Sequence, residues 1–337
     1  MEIKPFRVRV DETVLDDLTH RLTLSRFVRP SDPVAWRAGT DPFYLSELLT
    51  YWRHRFDWRA VEHRLNRLPQ FMAGDLHVVH ARGAGPAPFP LLMIPGWPSS
   101  FAEMTKILPL LTDPPDPTDA FDVIIPSVPG TIFSPHPADV PVTGPWLADT
   151  MAELMTGLGY GRFGVYGSPW PAVRHPDRVA GLHLISPAPP SPHSPPSPHE
   201  DCARPDTLAA ALIDSPAGLA AWIVDHLRSW TDCDGELETR WTKDEILTLV
   251  TLYWTTSSIG TSLRSHHDTE ANPPLPVCEV PVGFTLSTKA TEPPGHLYPD
   301  IRLRHEPKRG GHYMPFEEPE LLAEDLRSFF RPLRPMP

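Results

Sequence analysis

Three stretches of the chain hold residue types and spacings that can do chemistry. Near the C-terminus, Arg309-Gly310-Gly311-His312-Tyr313-Met314 sets an imidazole in a glycine-flanked turn. A histidine titrating near ~6.5 is a ready general acid or base at neutral pH. Val165-Tyr166-Gly167-Ser168-Pro169-Trp170-Pro171-Ala172 reads as a tight strand-to-helix turn, the place where a nucleophile is often displayed. Such a turn needs small residues two before and two after the nucleophile. Centred on Pro169 the flanks are Gly167 and Pro171, which keep the turn and supply no nucleophilic side chain. Centred on Ser168 they are Tyr166 and Trp170, which are large. The third stretch, Leu91-Leu92-Met93-Ile94-Pro95-Gly96-Trp97-Pro98, reads as a buried strand running into a loop.

The elements that position these stretches follow from periodicity. Val14, Leu15, Leu18 and Leu22 stand at helical spacing behind Asp11, a suitable N-cap, and Tyr44–Arg53 and Trp58–Asn66 continue in helical style. Leu76–Ala81 alternates like a half-buried strand. Leu91–Ile94, Val123–Ile125 and Phe163–Tyr166 are short apolar runs of the kind found in buried parallel strands. Trp146–Leu158 predicts a helix, His175–Leu184 a helix end and strand, and Glu317–Phe330 a closing amphipathic helix. Ser186–His199 is so rich in proline and serine that it predicts an extended linker. The organisation implied by the resemblance set out below is an N-terminal extension over 1–75, a core over 76–185, a linker over 186–199, a helical lid over 200–275 and a returning core over 276–337.

Composition narrows the function classes. The 337 residues carry a formal net charge of −12, which opposes nucleic acid and anionic membranes as partners. No apolar run approaches the length of a membrane span. The N-terminus lacks the basic-then-apolar build of a secretory signal, and Cys202, Cys233 and Cys278 have no disulfide or metal spacing, so a cytoplasmic, metal-free protein is expected. Neither a nucleotide loop nor a flavin or nicotinamide fingerprint is present, so no cofactor is expected. The 45 prolines stiffen loops and lower the entropy of the unfolded chain.

In order along the chain, the loop at Pro95–Pro98, the strand and turn at Phe121–Gly130, the turn at Gly167–Pro171 and the Gly310-Gly311-His312 block resemble the microsomal-type epoxide hydrolases of the α/β-hydrolase superfamily. Gly39–Phe71, including Tyr51-Trp52-Arg53, is similar to the N-terminal extension of that family. Asp214–Val224, Trp241–Leu247 and Leu252–Gly260 are similar to its lid. The resemblance implies an α/β fold of the α/β-hydrolase type, a mostly parallel sheet with helices on both faces, a helical lid and an N-terminal arm that wraps the main domain. It also implies a mechanism: an aspartate attacks the epoxide carbon, a His–acid pair activates water, two lid tyrosines bond the epoxide oxygen, and backbone N–H groups hold the oxyanion.

Position by position the chain departs from that pattern. Pro169 stands where the family has its aspartate, and the helix after it is about two turns short. Ala290, after Lys289, replaces the acid, leaving Glu292 as a substitute that would orient His312. His266 falls where one lid tyrosine belongs, and the other would lie near Ser197, where there is none. Pro95 replaces the histidine that leads the oxyanion loop. Trp97 and Trp170 stay as apolar walls with one N–H donor each, with Ser168 and Pro169 as further candidates for the pocket lining and Tyr253 as lid core first and pocket lining second.

Three readings stay open. The favoured one is a cofactor-free, non-hydrolytic enzyme, a cyclase or isomerase, acting on a hydrophobic biosynthetic intermediate, by epoxide-opening cyclisation or a pericyclic step. There His312 is the acid or base, His266 a polar contact and Glu292 the orienting acid. The second is a residual hydrolase using Ser168 or water activated by His312. The third is a non-catalytic binding protein. A hydrophobic small molecule is the expected ligand, and a homodimer is compatible with the sequence.

Overall fold

The computed structural model describes residues 2–186 and 204–334. The proline-rich linker, beyond Ser186, and Cys202 lie outside the described residues. Nine strands form one sheet in the order β1-β2-β3-β5-β4-β6-β7-β8-β9. They are β1 Ile3–Pro5, β2 Gln70–Ala73, β3 Leu76–Ala81, β4 Phe89–Met93, β5 Phe121–Pro126, β6 Phe163–Tyr166, β7 Val179–Leu184, β8 Val282–Thr285 and β9 Ile301–His305. From β1 through β3 to β5 the pairings are antiparallel, and from β5 through β9 they are parallel.

Every residue of β5, β6, β7 and β8 is buried, because a parallel sheet needs cover on both faces. The period of two splits the strand side chains between two cores. Leu91 and Met93 of β4 face Phe329 and Phe330 of the last helix, while Leu92 and Ile94 face Met151, Leu154 and Met155. The helices in chain order are α1 Glu12–Thr23, α2 Pro42–His54, α3 Trp58–Leu65, α4 Leu108–Thr112, α5 Gly144–Gly157 and α6 Trp170–Arg174. The lid follows with α7 Pro205–Leu212, α8 Pro216–Trp230, α9 Lys243–Thr256 and α10 Ile259–Asp268, and the core closes with α11 Met314–Glu317 and α12 Pro319–Phe330.

The N-terminal extension is not a separate body. It donates β1 and β2 to the sheet, and its helices pack on the lid: Leu48, Trp52, Val61 and Leu65 share one core with Leu249 and Val250 of α9. Polar ties reinforce the contact, with Thr40 donating to the Ala221 carbonyl at 2.6 Å and Arg21 paired to Asp214 at 2.7 Å. Helix α9 starts on a capping box in which Thr242 and Glu245 satisfy each other's backbone N–H. Among the described residues no helix is long and apolar enough to cross a membrane.

The turn after β6 depends on Gly167, which has φ +96°, and a Cβ there would stand 2.3 Å from the Ile94 carbonyl oxygen. A Gly167→Ala chain must strain the turn or push β4 away. The expected loss is about 3 kcal/mol, read as a lowered denaturant midpoint. An unchanged midpoint contradicts this account of the turn.

Candidate active site

The C-terminal ends of β4, β5 and β6 open on one crevice, where ligands of open α/β sheets bind. From β4 comes the loop Ile94–Ser100, and from β5 the turn Ser127–Thr131. Strand β6 leads into Gly167, Ser168 and Pro169, with α6 starting at Trp170. Helix α6 has five residues, agreeing with the short helix expected from the sequence. Pro169 is buried, occupies the N-cap position and does not line the cavity; its neighbours Ser168 and Trp170 do. The Ser168 hydroxyl accepts the Trp170 N–H at 3.4 Å. The Trp170 indole lies so close over Gly144 that a Cβ there would meet it at 2.1 Å.

Two cavities meet above the sheet. One, of about 230 Å³, lies against Ser168 and Trp170, and the other, of about 440 Å³, against His312, Trp230 and Lys289. Trp97 and His266 line both. Their rings stack at 4.9 Å and 18°, so this aromatic pair stands between the Ser168 side and the His312 side. Trp222, His226 and Trp230 of α8 extend the aromatic wall, at 5.2, 6.0 and 6.5 Å from Trp97. The sequence reading missed these three, although their four-residue spacing on one helix was available as a signal.

His312 is held by a dense set of backbone bonds. Its N–H donates to the Trp230 carbonyl at 2.9 Å, and its ring packs edge-on against Trp230 at 5.2 Å. The buried Glu317 carboxylate accepts from the N–H groups of Asp232 at 2.8 Å, Gly311 at 2.9 Å and Tyr313 at 2.9 Å. Asp232 in turn accepts from the Gly310 N–H at 2.8 Å. Lys289 donates to the carbonyls of Ser229 and Thr231, tying the end of α8 to the same loop. Gly96 approaches the ring so closely that a Cβ would lie 2.9 Å from His312 Nε2.

Three sequence expectations are corrected by placement, the first being Pro169, which is buried at the start of α6 and lies outside the cavity lining. Glu292 does not orient His312: its carboxylate is exposed and both oxygens are taken by Arg304, one at 2.6 Å, because that guanidinium offers the two-pronged partner on the next strand. Tyr253 is core and not pocket lining. It is fully buried on α9, and its hydroxyl donates to the Ser99 carbonyl at 3.2 Å. His266, Trp97, Trp170 and Ser168 do line the crevice together. Among the described residues no group of three His, Cys, Asp or Glu side chains could hold a metal.

One buried acid had no sequence signal. Glu103, in a short turn after the Ile94–Ser100 loop, is 4% exposed and faces Ser99 and the Gly96 backbone. Its Oε2 has no hydrogen-bond partner among the described residues. Burial, helped by the nearby Glu317, pushes its carboxyl up to about 8, so it stays protonated at neutral pH.

The sheet order, the strand–turn–helix at Gly167, the helical insertion between β7 and β8 and the histidine loop after β9 define a lidded α/β-hydrolase fold. The chain belongs to the epoxide hydrolase family. Residues 3–104 match the family described as epoxide hydrolase N terminus. Epoxide hydrolase 1 of Sus scrofa is 31% identical, across 97% of this chain and 88% of the pig protein. That alignment runs over 400 positions, more than the chain's 337 residues, so segments of the pig protein are absent here. The juvenile hormone epoxide hydrolase of the silkworm Bombyx mori superimposes with a TM-score of 0.87 at 28% identity, covering 99% of this chain and 94% of the other. The Aspergillus niger epoxide hydrolase gives 0.82 at 26%, covering 99% and 97%.

The Glu103 carboxyl yields a pH prediction. Its folded pKa of about 8 lies above that of an unfolded glutamate, so between about pH 4.5 and 8 the folded state binds the extra proton and stability falls as pH rises. Glu103→Gln removes that dependence. From pH 5 to 8 the wild type should lose stability relative to the variant, by a few kcal/mol. Parallel stability curves for the two proteins refute this.

Proposed function

We propose that this chain is a non-hydrolytic member of its family: a cofactor-free cyclase or isomerase acting on a hydrophobic intermediate beneath the lid. The observation that carries the reading is chemical. Among the described residues lining the two cavities there is no aspartate or glutamate. The turn where the family carries its carboxylate holds the buried Pro169 instead. A mechanism through a carboxylate ester has no starting group there.

What the site offers suits an intramolecular step. The indoles of Trp97 and Trp170 wall the smaller cavity, His266 lines both cavities, and His312 lines the larger one beside Trp97. In an epoxide-opening cyclisation the substrate's own hydroxyl oxygen bonds to an epoxide carbon, the C–O bond of the ring breaks, and the hydroxyl proton ends on the former epoxide oxygen. The product is an isomer of the substrate, so no water, nucleophile or cofactor is consumed. Holding the two groups in contact supplies most of the gain, and one imidazole suffices to move the proton. The hydrolase reading through Ser168 is weakened by the arrangement, since Ser168 and His312 line different cavities with the Trp97–His266 stack lining both.

A substrate containing both groups separates the readings. With an epoxy alcohol such as 4,5-epoxyhexan-1-ol, the protein should speed formation of the cyclic ether, and His312→Ala should lower that rate by about 100-fold, the usual worth of one acid–base group. Triol formation that depends on His312 would show a hydrolase and end the proposal.

A further inference from the structure

The smaller cavity is ringed by hydroxyl side chains, and the direction of their protons can be worked out. Gln70 donates through Nε2 to the Leu65 carbonyl at 2.8 Å, which turns its Oε1 toward His77 Nε2 at 3.0 Å. An amide oxygen only accepts, so His77 carries its proton on Nε2 and its Nδ1 is an acceptor. Ser127, 2.8 Å from that Nδ1, must therefore donate to it. Burial pushes the His77 imidazole down to about 3, which keeps it in this neutral form at every working pH.

Four more hydroxyls of the same wall spend their single proton on backbone. Thr131 donates to the Val128 carbonyl at 2.6 Å and Ser265 to Pro129 at 2.7 Å. Ser262 donates to Ile259 at 2.8 Å, and Thr269 to His266 at 2.6 Å. All five residues line the cavity. A hydroxyl has one proton and two lone pairs, so this wall turns only lone pairs toward a bound molecule. Donors of this cavity lie elsewhere: Asn272 accepts the Gly144 N–H through Oδ1 at 2.6 Å, which leaves its NH₂ group to donate, and Ser168 accepts the Trp170 N–H, which leaves its hydroxyl proton to donate.

We infer that the cavity beside Ser168 selects a hydroxylated apolar ligand, whose O–H donates to the Ser127, Thr131, Ser262, Ser265 and Thr269 wall. The inference rests on the proposed function for the role of this cavity, and it names the substrate class: an alcohol and not the matching ether or ketone. A ligand without a donor takes water away from the lone pairs and returns nothing, and sites of that build discriminate strongly. The two indoles Trp97 and Trp170 take the apolar body.

The test uses benzyl alcohol and benzyl methyl ether, with dissociation constants measured to the millimolar range by ligand-observed NMR. The ether is larger and more apolar, so hydrophobic transfer alone favours it. The expected result is that the alcohol binds about five-fold more tightly, the worth of one hydrogen bond. In the isosteric Thr131→Val, Thr269→Val protein the preference should fall toward unity, with the fold checked by circular dichroism. Equal binding of the two probes, binding of the ether alone, binding of neither, or an undiminished preference in the double variant overturns the inference. Triol from the epoxy alcohol would end the non-hydrolytic proposal while leaving an alcohol preference in place. Equal binding with cyclic ether formed would do the reverse.

Discussion

The Glu317 carboxylate is the tie on which the crevice depends. It takes three backbone N–H groups from two separate parts of the chain, Asp232 after the lid helix α8, and Gly311 and Tyr313 around His312. A buried carboxylate is costly unless such donors surround it, and each charge-assisted bond contributes about 1.5–3 kcal/mol. The lid and the histidine loop therefore hold together through a charge that neither could stabilise alone. The Trp230 carbonyl on the His312 N–H and the Asp232 carboxylate on Gly310 close the same clamp. Burial, with a smaller push from the neighbouring Glu317, raises the Glu103 carboxyl to about 8 and keeps it protonated, while burial raises Glu317 as well and its three backbone donors oppose that rise.

That clamp fixes what the crevice can be. With α8 pinned at Trp230, its aromatic face is pressed against Trp97, and Trp97 against His266. The stack stands between the turn at Ser168 and the imidazole of His312. A scaffold built to bring a nucleophile and a base together here lines separate cavities with the corresponding positions. The cavity beside Ser168 is lined by hydroxyl side chains and two indoles.

Much of this was legible in the chain. The apolar runs at Leu91–Ile94 and Phe163–Tyr166 located parallel strands because burial on both faces erases alternation. The Gly167–Pro171 spacing located the turn because only a small residue tolerates its geometry. Trp97, Trp170, Ser168 and His266, singled out from the sequence, line one crevice. Glu292 misled because closeness in sequence to a vacant acid position says nothing of a competing arginine, and Arg304 on β9 claims it. Tyr253 misled because a tyrosine on a lid helix reads alike whether it faces the core or a ligand. Glu103, Glu317 and the Gln70–His77–Ser127 chain stayed hidden for one reason. Their partners are backbone groups or residues up to 85 positions away, and no local pattern records such contacts.

The central claim is that chemistry in this crevice passes through no covalent bond to the protein. Intact-mass spectrometry after rapid acid quench of the protein with excess styrene oxide tests it most directly. An ester intermediate would add the mass of one epoxide, and peptide mapping would locate it. The account predicts an unchanged protein mass at every mixing time. A transient adduct of one epoxide on a crevice residue, absent from His312→Ala or long-lived in it, would contradict the account.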